Sequence, residues 1–279
     1  MRDPHVTATS RSTVMLANAA AFITPQTFQR RAVSQFVTPR VRSQTERGRE
    51  ILDTLRAETF QGPVGRQRAY VGGDGPAVFF QHGWEADSAD LATHADALLQ
   101  SGFKVVLIDG PAHGQSEGRK AMMPEFGAGL AAAADTYGQP FALVAHSMGT
   151  PSAVIAMSRH GLSPDRFVSL GAPRSLPENV RFHGRSAGLS HRAVRLMLEG
   201  LERRFGEPIE HFDVARDAPS MTARALFVHG TGDQIARAAS SSEIARVWPG
   251  AELELYEGLG HRGVLRDARV IERVRTFLS

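Results

Sequence analysis

The apolar positions of this chain change character near residue 64. Beyond that point short apolar runs recur, namely Ala77-Val78-Phe79-Phe80-Gln81, Lys104 to Ile108, Phe141 to Ala145, Arg166 to Leu170 and Ala225 to Val228, and the alternating Ala251 to Tyr256 supplies one strand more. Runs of this length, bounded by Gly, Pro or Asp, read as buried strands. The stretches between them keep helical spacing. Leu91, Ala95, Leu98 and Leu99 share one face of a helix that Asp87 caps and Gly102 closes. Val264, Ala268, Ile271, Val274 and Phe277 make a last amphipathic helix. Strand and helix in alternation predict an α/β fold, a mostly parallel sheet of about eight strands with helices on both faces. In such sheets chemistry gathers at the carboxyl ends of the strands.

Before residue 63 no strand pattern appears. Residues 1–62 carry nine Arg and five acids and read as an N-terminal helical extension of two or three helices laid on residues 63–279. Phe22-Ile23-Thr24-Pro25 returns as Phe36-Val37-Thr38-Pro39, and two copies are too few for a repeat architecture. A basic amphipathic segment also suits a membrane surface or a partner, but packing is the favoured reading and membrane contact the less favoured. Val14 to Ile23 is an apolar stretch of about ten residues, too short to span a bilayer. Read as a signal peptide it has Arg2 and Arg11 before it and Ala17-Asn18-Ala19 inside it, yet the apolar region is weak and Asp3 precedes it. A cytoplasmic location is expected, with secretion less favoured.

Composition narrows the chemistry further. The 279 residues are 42% apolar and 22% charged, which excludes disordered, collagenous and coiled-coil classes. No Cys is present, so disulfides, thiol nucleophiles and thiolate metal sites are excluded. Basic residues number 32 against 29 acidic, a formal +3 without the clustering that a nucleic-acid footprint needs. Gly127-Ala128-Gly129-Leu130-Ala131-Ala132 matches a dinucleotide fingerprint by letters only, since no strand leads into it. No His-Glu-x-x-His, phosphate loop or calcium loop occurs, and neither metal nor cofactor is expected.

One loop carries a nucleophile signal. Phe141 to Ala145 runs into His146-Ser147-Met148-Gly149, and a helical stretch from Ala153 to Met157 follows. Such a turn brings strand and helix backbones together, so small residues are needed at its flanks; Ala145 and Gly149 supply them. The serine is then held strained, with its hydroxyl exposed. A hydroxyl becomes nucleophilic only when a base takes its proton, and the base needs an orienting acid. Asp233 follows the run Leu226-Phe227-Val228-His229-Gly230, 86 residues beyond Ser147. His261 lies in Gly258-Leu259-Gly260-His261, just after the last strand. Asp109 is the rival acid. His146, His82, His229 and His113 read as structural, bonded to loop backbone rather than to substrate.

With these motifs the chain resembles the α/β-hydrolase superfamily, in its serine esterase, lipase and lysophospholipase-like branch. The resemblance covers about residues 64 to 279 and includes Asp109-Gly110-Pro111-Ala112-His113-Gly114-Gln115-Ser116 and the His82-Gly83-Trp84 loop. It implies the family's order of Ser, acid and His, hence Ser147, Asp233 and His261 as catalytic residues; Asp109 precedes the serine, the wrong order. It also implies an oxyanion hole from the backbone N–H groups of Trp84 and Met148. The activity implied is hydrolysis of a small-molecule carboxylic ester without a cofactor. Thioesterase, lactonase, acyltransferase and perhydrolase chemistry use the same machinery, and a non-catalytic ligand receptor is the alternative of another class.

The family inserts its cap between the strands ending near Leu170 and beginning near Ala225. Residues 174–218 hold eight Arg and seven acids, with only Val194 to Phe205 reading as a helix. A cap of one main helix implies short to medium acyl chains, with Trp84, Leu198 and Leu201 as substrate-binding candidates. The oligomeric state is not legible.

Overall fold

A single sheet of eight strands runs through the larger of two units in the computed structural model, which describes residues 11–40 and 44–279. The strands are β1 (Arg56–Gln61), β2 (Arg66–Gly72), β3 (Ala77–Gln81), β4 (Lys104–Ile108), β5 (Ala142–His146), β6 (Arg166–Leu170), β7 (Arg224–Gly230) and β8 (Glu252–Tyr256). Their spatial order is β1-β2-β4-β3-β5-β6-β7-β8. Strands β4 through β8 in that order pair in parallel, whereas β1 pairs antiparallel with β2, and β2 with β4. The α/β class, with about eight strands and helices on both faces, is therefore as the sequence pattern predicts.

Alternate side chains of each central strand point to opposite faces. Val78, Phe80, Val105, Leu107 and Val144 meet α3 (Glu46–Asp53), α4 (Ala92–Gln100) and α11 (Ala268–Leu278), the helices being numbered along the chain. Phe79, Val106, Leu143, Phe167 and Phe227 meet α5 (Met123–Tyr137), α6 (Gly149–Arg159) and α10 (Ala238–Val247), with the one-turn α9 (Val214–Asp217) at their edge. Strands buried on both faces must be apolar almost throughout, which is why β3, β4 and β5 read as continuous runs. The glycines in Gly127-Ala128-Gly129 lie inside α5. A Cβ on Gly127 would meet Ile155 of α6, so this glycine serves helix packing rather than a phosphate.

The N-terminal expectation needs correction. Residues 1–62 are not one helical extension: β1 and α3 belong to the sheet unit, and β1 falls where no strand was expected. The reason is that β1 is an edge strand in which only Phe60 is buried, so Arg56 and Glu58 hide the alternation.

The second unit joins the residues up to Val37 with Ser175–Phe212. It contains α1 (Arg11–Ile23), α2 (Pro25–Phe36), α7 (Leu176–Ser186) and α8 (His191–Phe205), and α8 packs on the other three. Ala21, Phe28 and Ala193 are buried together between α1, α2 and α8. The expected cap region, 174–218, holds α7 as well as α8, and its last residues, with the one-turn α9, belong to the sheet unit instead. Pro177 and Gly184 read as breakers, but Pro177 opens α7 behind the Ser175 cap, where a missing N–H costs nothing. Gly184 lies against Val194 of α8, leaving no room for a Cβ.

Asp87 shows how the loop after β3 is held. Its side chain accepts from the Ala89 N–H at 2.9 Å and caps a short turn of 3-10 helix leading to α4. Burial, and then the negative charge of Asp109, push its carboxyl up to about 6 from an ordinary 3.8. A carboxyl raised on folding favours the native state while protonated, and that advantage is lost as pH rises through the folded value. Asp87→Asn keeps the capping oxygen and removes the charge. Its thermal midpoint should match wild type near pH 4 and exceed it increasingly up to about pH 7, as read by calorimetry across that range.

Candidate active site

Ser147 stands at the end of β5 with φ +52, one of three non-glycine residues in the left-handed region among the described residues. An L side chain enters that region at a cost of order 1–3 kcal/mol, so the surroundings must impose it. They do so by close approach. The Ser147 N–H donates to Leu170 O of β6 at 2.9 Å, and Ser147 O accepts from the Thr150 N–H at 2.9 Å. Gly149 is pressed on the backbone oxygen of Gln81, and a Cβ on Gly83 would lie 2.8 Å from the Ser147 Cβ. Ala145, where the resemblance leads one to expect glycine, is fully buried in the sheet core.

Three side chains named from the sequence are brought together. Ser147 Oγ lies 2.9 Å from His261 Nε2, and His261 Nδ1 lies 2.7 Å from Asp233 Oδ2. Asp233 is held in turn by its own loop. Its Oδ1 accepts from the N–H groups of Ile235 and Ala236 at 2.8 and 2.9 Å. Its Oδ2 also accepts from His229 Nε2 at 3.1 Å. Burial alone would raise the carboxyl, but hydrogen bonds from His229 and His261 outweigh it and hold Asp233 far below the ordinary range. An ionised Asp233 only accepts, so His261 Nδ1 carries a proton, and in the neutral ring Nε2 is the acceptor facing Ser147.

The other candidates sit around this line. Trp84 and Met148 flank Ser147, one in the loop whose Gly83 abuts it and one next in the chain. Neither backbone N–H has an acceptor among the described residues. Asp109, the rival acid, is committed elsewhere: Oδ1 accepts from the Ser88 hydroxyl at 2.6 Å and Oδ2 from the Gln115 N–H at 2.8 Å. Burial raises its carboxyl nonetheless. His82 donates from Nδ1 to Gly83 O and accepts from the Gly110 N–H at Nε2. His113 likewise donates to Pro111 O and accepts from the Glu85 N–H. Desolvation pulls these imidazoles down to about 4 and about 3, so both are neutral braces between the loops after β3 and β4.

Two parts of the site escaped the sequence reading. His229 was expected to bond only to loop backbone, yet its ring also reaches the Asp233 carboxylate, with Ser241 Oγ on its other nitrogen at 2.7 Å. The pairing is four residues apart in sequence, and that spacing was the available signal. Gly171, with φ +63 after β6, faces His261 and Asp233 and has no motif of its own. His146 bonds through Nε2 to His261 O at 3.1 Å, so it fixes the backbone of the loop carrying His261. Leu198 and Leu201 lie on α8 in the helical unit, Leu201 fully buried and Leu198 nearly so, where packing defines them first. Among the described residues no cluster of His, Asp and Glu is placed to hold a metal ion.

A model of the alpha/beta hydrolase family matches residues 77–273, and the chain belongs to that family. No curated protein matches the sequence. Solved structures with the same fold include an esterase from Pyrococcus furiosus, 18% identical, with a TM-score of 0.65, covering 87% of this chain and 97% of that one. An esterase from Exiguobacterium antarcticum is 19% identical, with a TM-score of 0.62, covering 80% and 99%. A third, described as an N-acyl homoserine lactone degrading enzyme, is 19% identical, with a TM-score of 0.63, covering 79% and 100%. At such identity the likeness is one of fold.

The contact between Gly83 and Ser147 generates a test. Gly83→Ala adds a methyl where the Ser147 Cβ already stands, so the loop or the turn must move. Overpacking of this kind costs about 1–3 kcal/mol. Urea unfolding should register that loss, whereas Gly102→Ala, whose Cβ meets nothing within 4 Å, isolates the cost of its own left-handed backbone.

Proposed function

We propose that this protein is a serine hydrolase that cleaves carboxylic esters through an acyl-Ser147 intermediate. The observation that carries the reading is the unbroken line from Ser147 Oγ through His261 to Asp233, at 2.9 and 2.7 Å. As Oγ attacks the ester carbonyl carbon, its proton passes to His261 Nε2, and the imidazolium is stabilised by the Asp233 carboxylate. The carbonyl oxygen becomes an oxyanion, for which the Trp84 and Met148 N–H groups are the candidate donors. Collapse breaks the carbon–oxygen bond to the alcohol, which leaves with the proton from His261. Water then attacks the acyl carbon, gives its proton to His261, and the reverse collapse returns the proton to Ser147 and frees the carboxylic acid.

Short to medium acyl chains are the proposed substrates. Trp84 supports this, since it follows Gly83, which abuts Ser147, and its bulky indole stands edge-on to the braced His113 ring at 4.9 Å. A lactone is an internal ester and falls under the same mechanism, so an ester panel should include one.

Ser147→Ala removes only the nucleophilic oxygen. Turnover of a short p-nitrophenyl ester should fall by about 10⁴- to 10⁶-fold, with the fold retained. A serine-directed fluorophosphonate should add its mass to wild type and not to the variant; equal labelling would remove Ser147 from the role.

Asp233→Asn leaves an amide where His261 needs an acceptor, so turnover should fall by about 10⁴-fold. Asp109→Asn should cost mainly stability, because its partners are Ser88 and Gln115. Steady-state rates beside unfolding midpoints separate the two, and the reverse ranking would reassign the acid.

A further inference from the structure

The helical unit carries a surface that the chemistry at Ser147 does not use. From Val14 to Ile23, α1 has no charged residue, and its one polar side chain, Asn18, is turned inward. Asn18 Nδ2 donates to Gly188 O at 3.1 Å and Oδ1 accepts from the Ser190 N–H at 2.7 Å, clamping α1 to the turn between α7 and α8. The outward stripe is left wholly apolar: Met15, Leu16, Phe22 and Ile23 are 73, 71, 69 and 79% exposed. A helix apolar on both sides is ordinarily covered on both.

Beside this stripe lies a cationic pocket of about 340 Å³ within the same unit. Arg181 and Arg185 of α7 and His191, Arg192 and Arg195 of α8 line it, over the apolar floor of Val194 and Leu198. Arg192 joins the two features: its guanidinium covers the Phe22 ring at 5.0 Å, and its Nε donates to Ala21 O. Arg195 faces Glu199 at 3.5 Å, but among the described residues no carboxylate pairs with Arg181 or Arg185. Charge is concentrated here as well. Residues up to 37 together with 175–212 hold ten Arg and six acids, a formal +4, which leaves −1 for the rest of the chain.

We propose that this face of the helical unit docks on an anionic phospholipid surface. Phe22, Ile23 and Leu16 enter the boundary between headgroups and acyl chains, and the Arg181 and Arg185 forks take lipid phosphate oxygens. A second copy of the chain satisfies the stripe but not the charge, because an isologous contact brings the unpaired arginines toward their own copies. An acidic soluble protein satisfies the charge but leaves an uncharged helix face without a matching apolar partner. A lipid surface of negative charge answers both.

The test is flotation of the full chain with vesicles at about 0.15 M salt. One set is phosphatidylglycerol mixed with phosphatidylcholine, the other phosphatidylcholine alone. Wild type should float with the anionic set and stay behind with the neutral one. Each arginine near the surface is worth about fivefold in partitioning, so Arg181→Ala with Arg185→Ala should lower it about twenty- to thirtyfold. Phe22→Asp with Ile23→Asp should abolish flotation, with the unfolding midpoint close to wild type, because both side chains are exposed and a carboxylate at position 22 keeps an attraction to Arg192. Ser147→Ala should float as wild type does, so failure of the catalytic reading and failure of this one are separable. The proposal is overturned by absence of flotation, by equal flotation on neutral vesicles, or by saturation with inorganic phosphate without vesicle binding. A dimer by light scattering that Phe22→Asp with Ile23→Asp dissolves, without flotation, would assign the face to a second copy instead.

Discussion

The left-handed turn at Ser147 is the constraint on which the sheet unit is arranged. A serine at φ +52 relaxes unless strand, helix and neighbouring loop all hold it, and each does so by standing too close for a side chain. Gly149 lies against the end of β3, Gly83 against Ser147 itself, and Leu170 of β6 accepts the serine's own N–H. The strand order puts β3 and β6 on either side of β5, so three carboxyl ends converge on one hydroxyl. The turn thus depends on the parallel sheet.

Around the turn, buried polar groups are connected in ways that make their ionisation states one-valued. His82 and His113 each donate to a carbonyl and accept from an N–H, a pattern that only a neutral ring satisfies. Asp233 gathers two backbone N–H groups and two imidazoles, which only a carboxylate satisfies. The consequence is preorganisation: Asp233 is ionised and held in place before any ligand arrives. Asp87 is the exception, a carboxyl raised by burial and by Asp109, and it marks where the loop after β3 gives up stability to hold its shape.

The helical unit follows a different logic. It is assembled from two distant segments and spends its polar groups on internal clamps, Asn18 at the α7–α8 turn and Gln29 on the Leu196 carbonyl. Its outward stripe, with Arg181 and Arg185, which meet no carboxylate among the described residues, is left over from that packing.

What the sequence by itself determined was local. β3, β4 and β5 were legible because strands buried on both faces are apolar throughout. Ser147, Asp233 and His261 were legible because strand-end turns demand small residues at short spacing and because their order resembles that of a known family. The tertiary structure decided whatever depends on partners far along the chain. β1 is a strand because β2 pairs with it, not because its own residues alternate. α1 and α2 join α8 rather than the sheet, and the breaker residues Pro177 and Gly184 prove to be a helix start and a packing contact. His229 reaches Asp233 only because the loop after β7 folds back on itself. Periodicity reports the environment of a segment, whereas pairing and burial between distant segments are properties of the assembled chain and leave little trace in either segment alone.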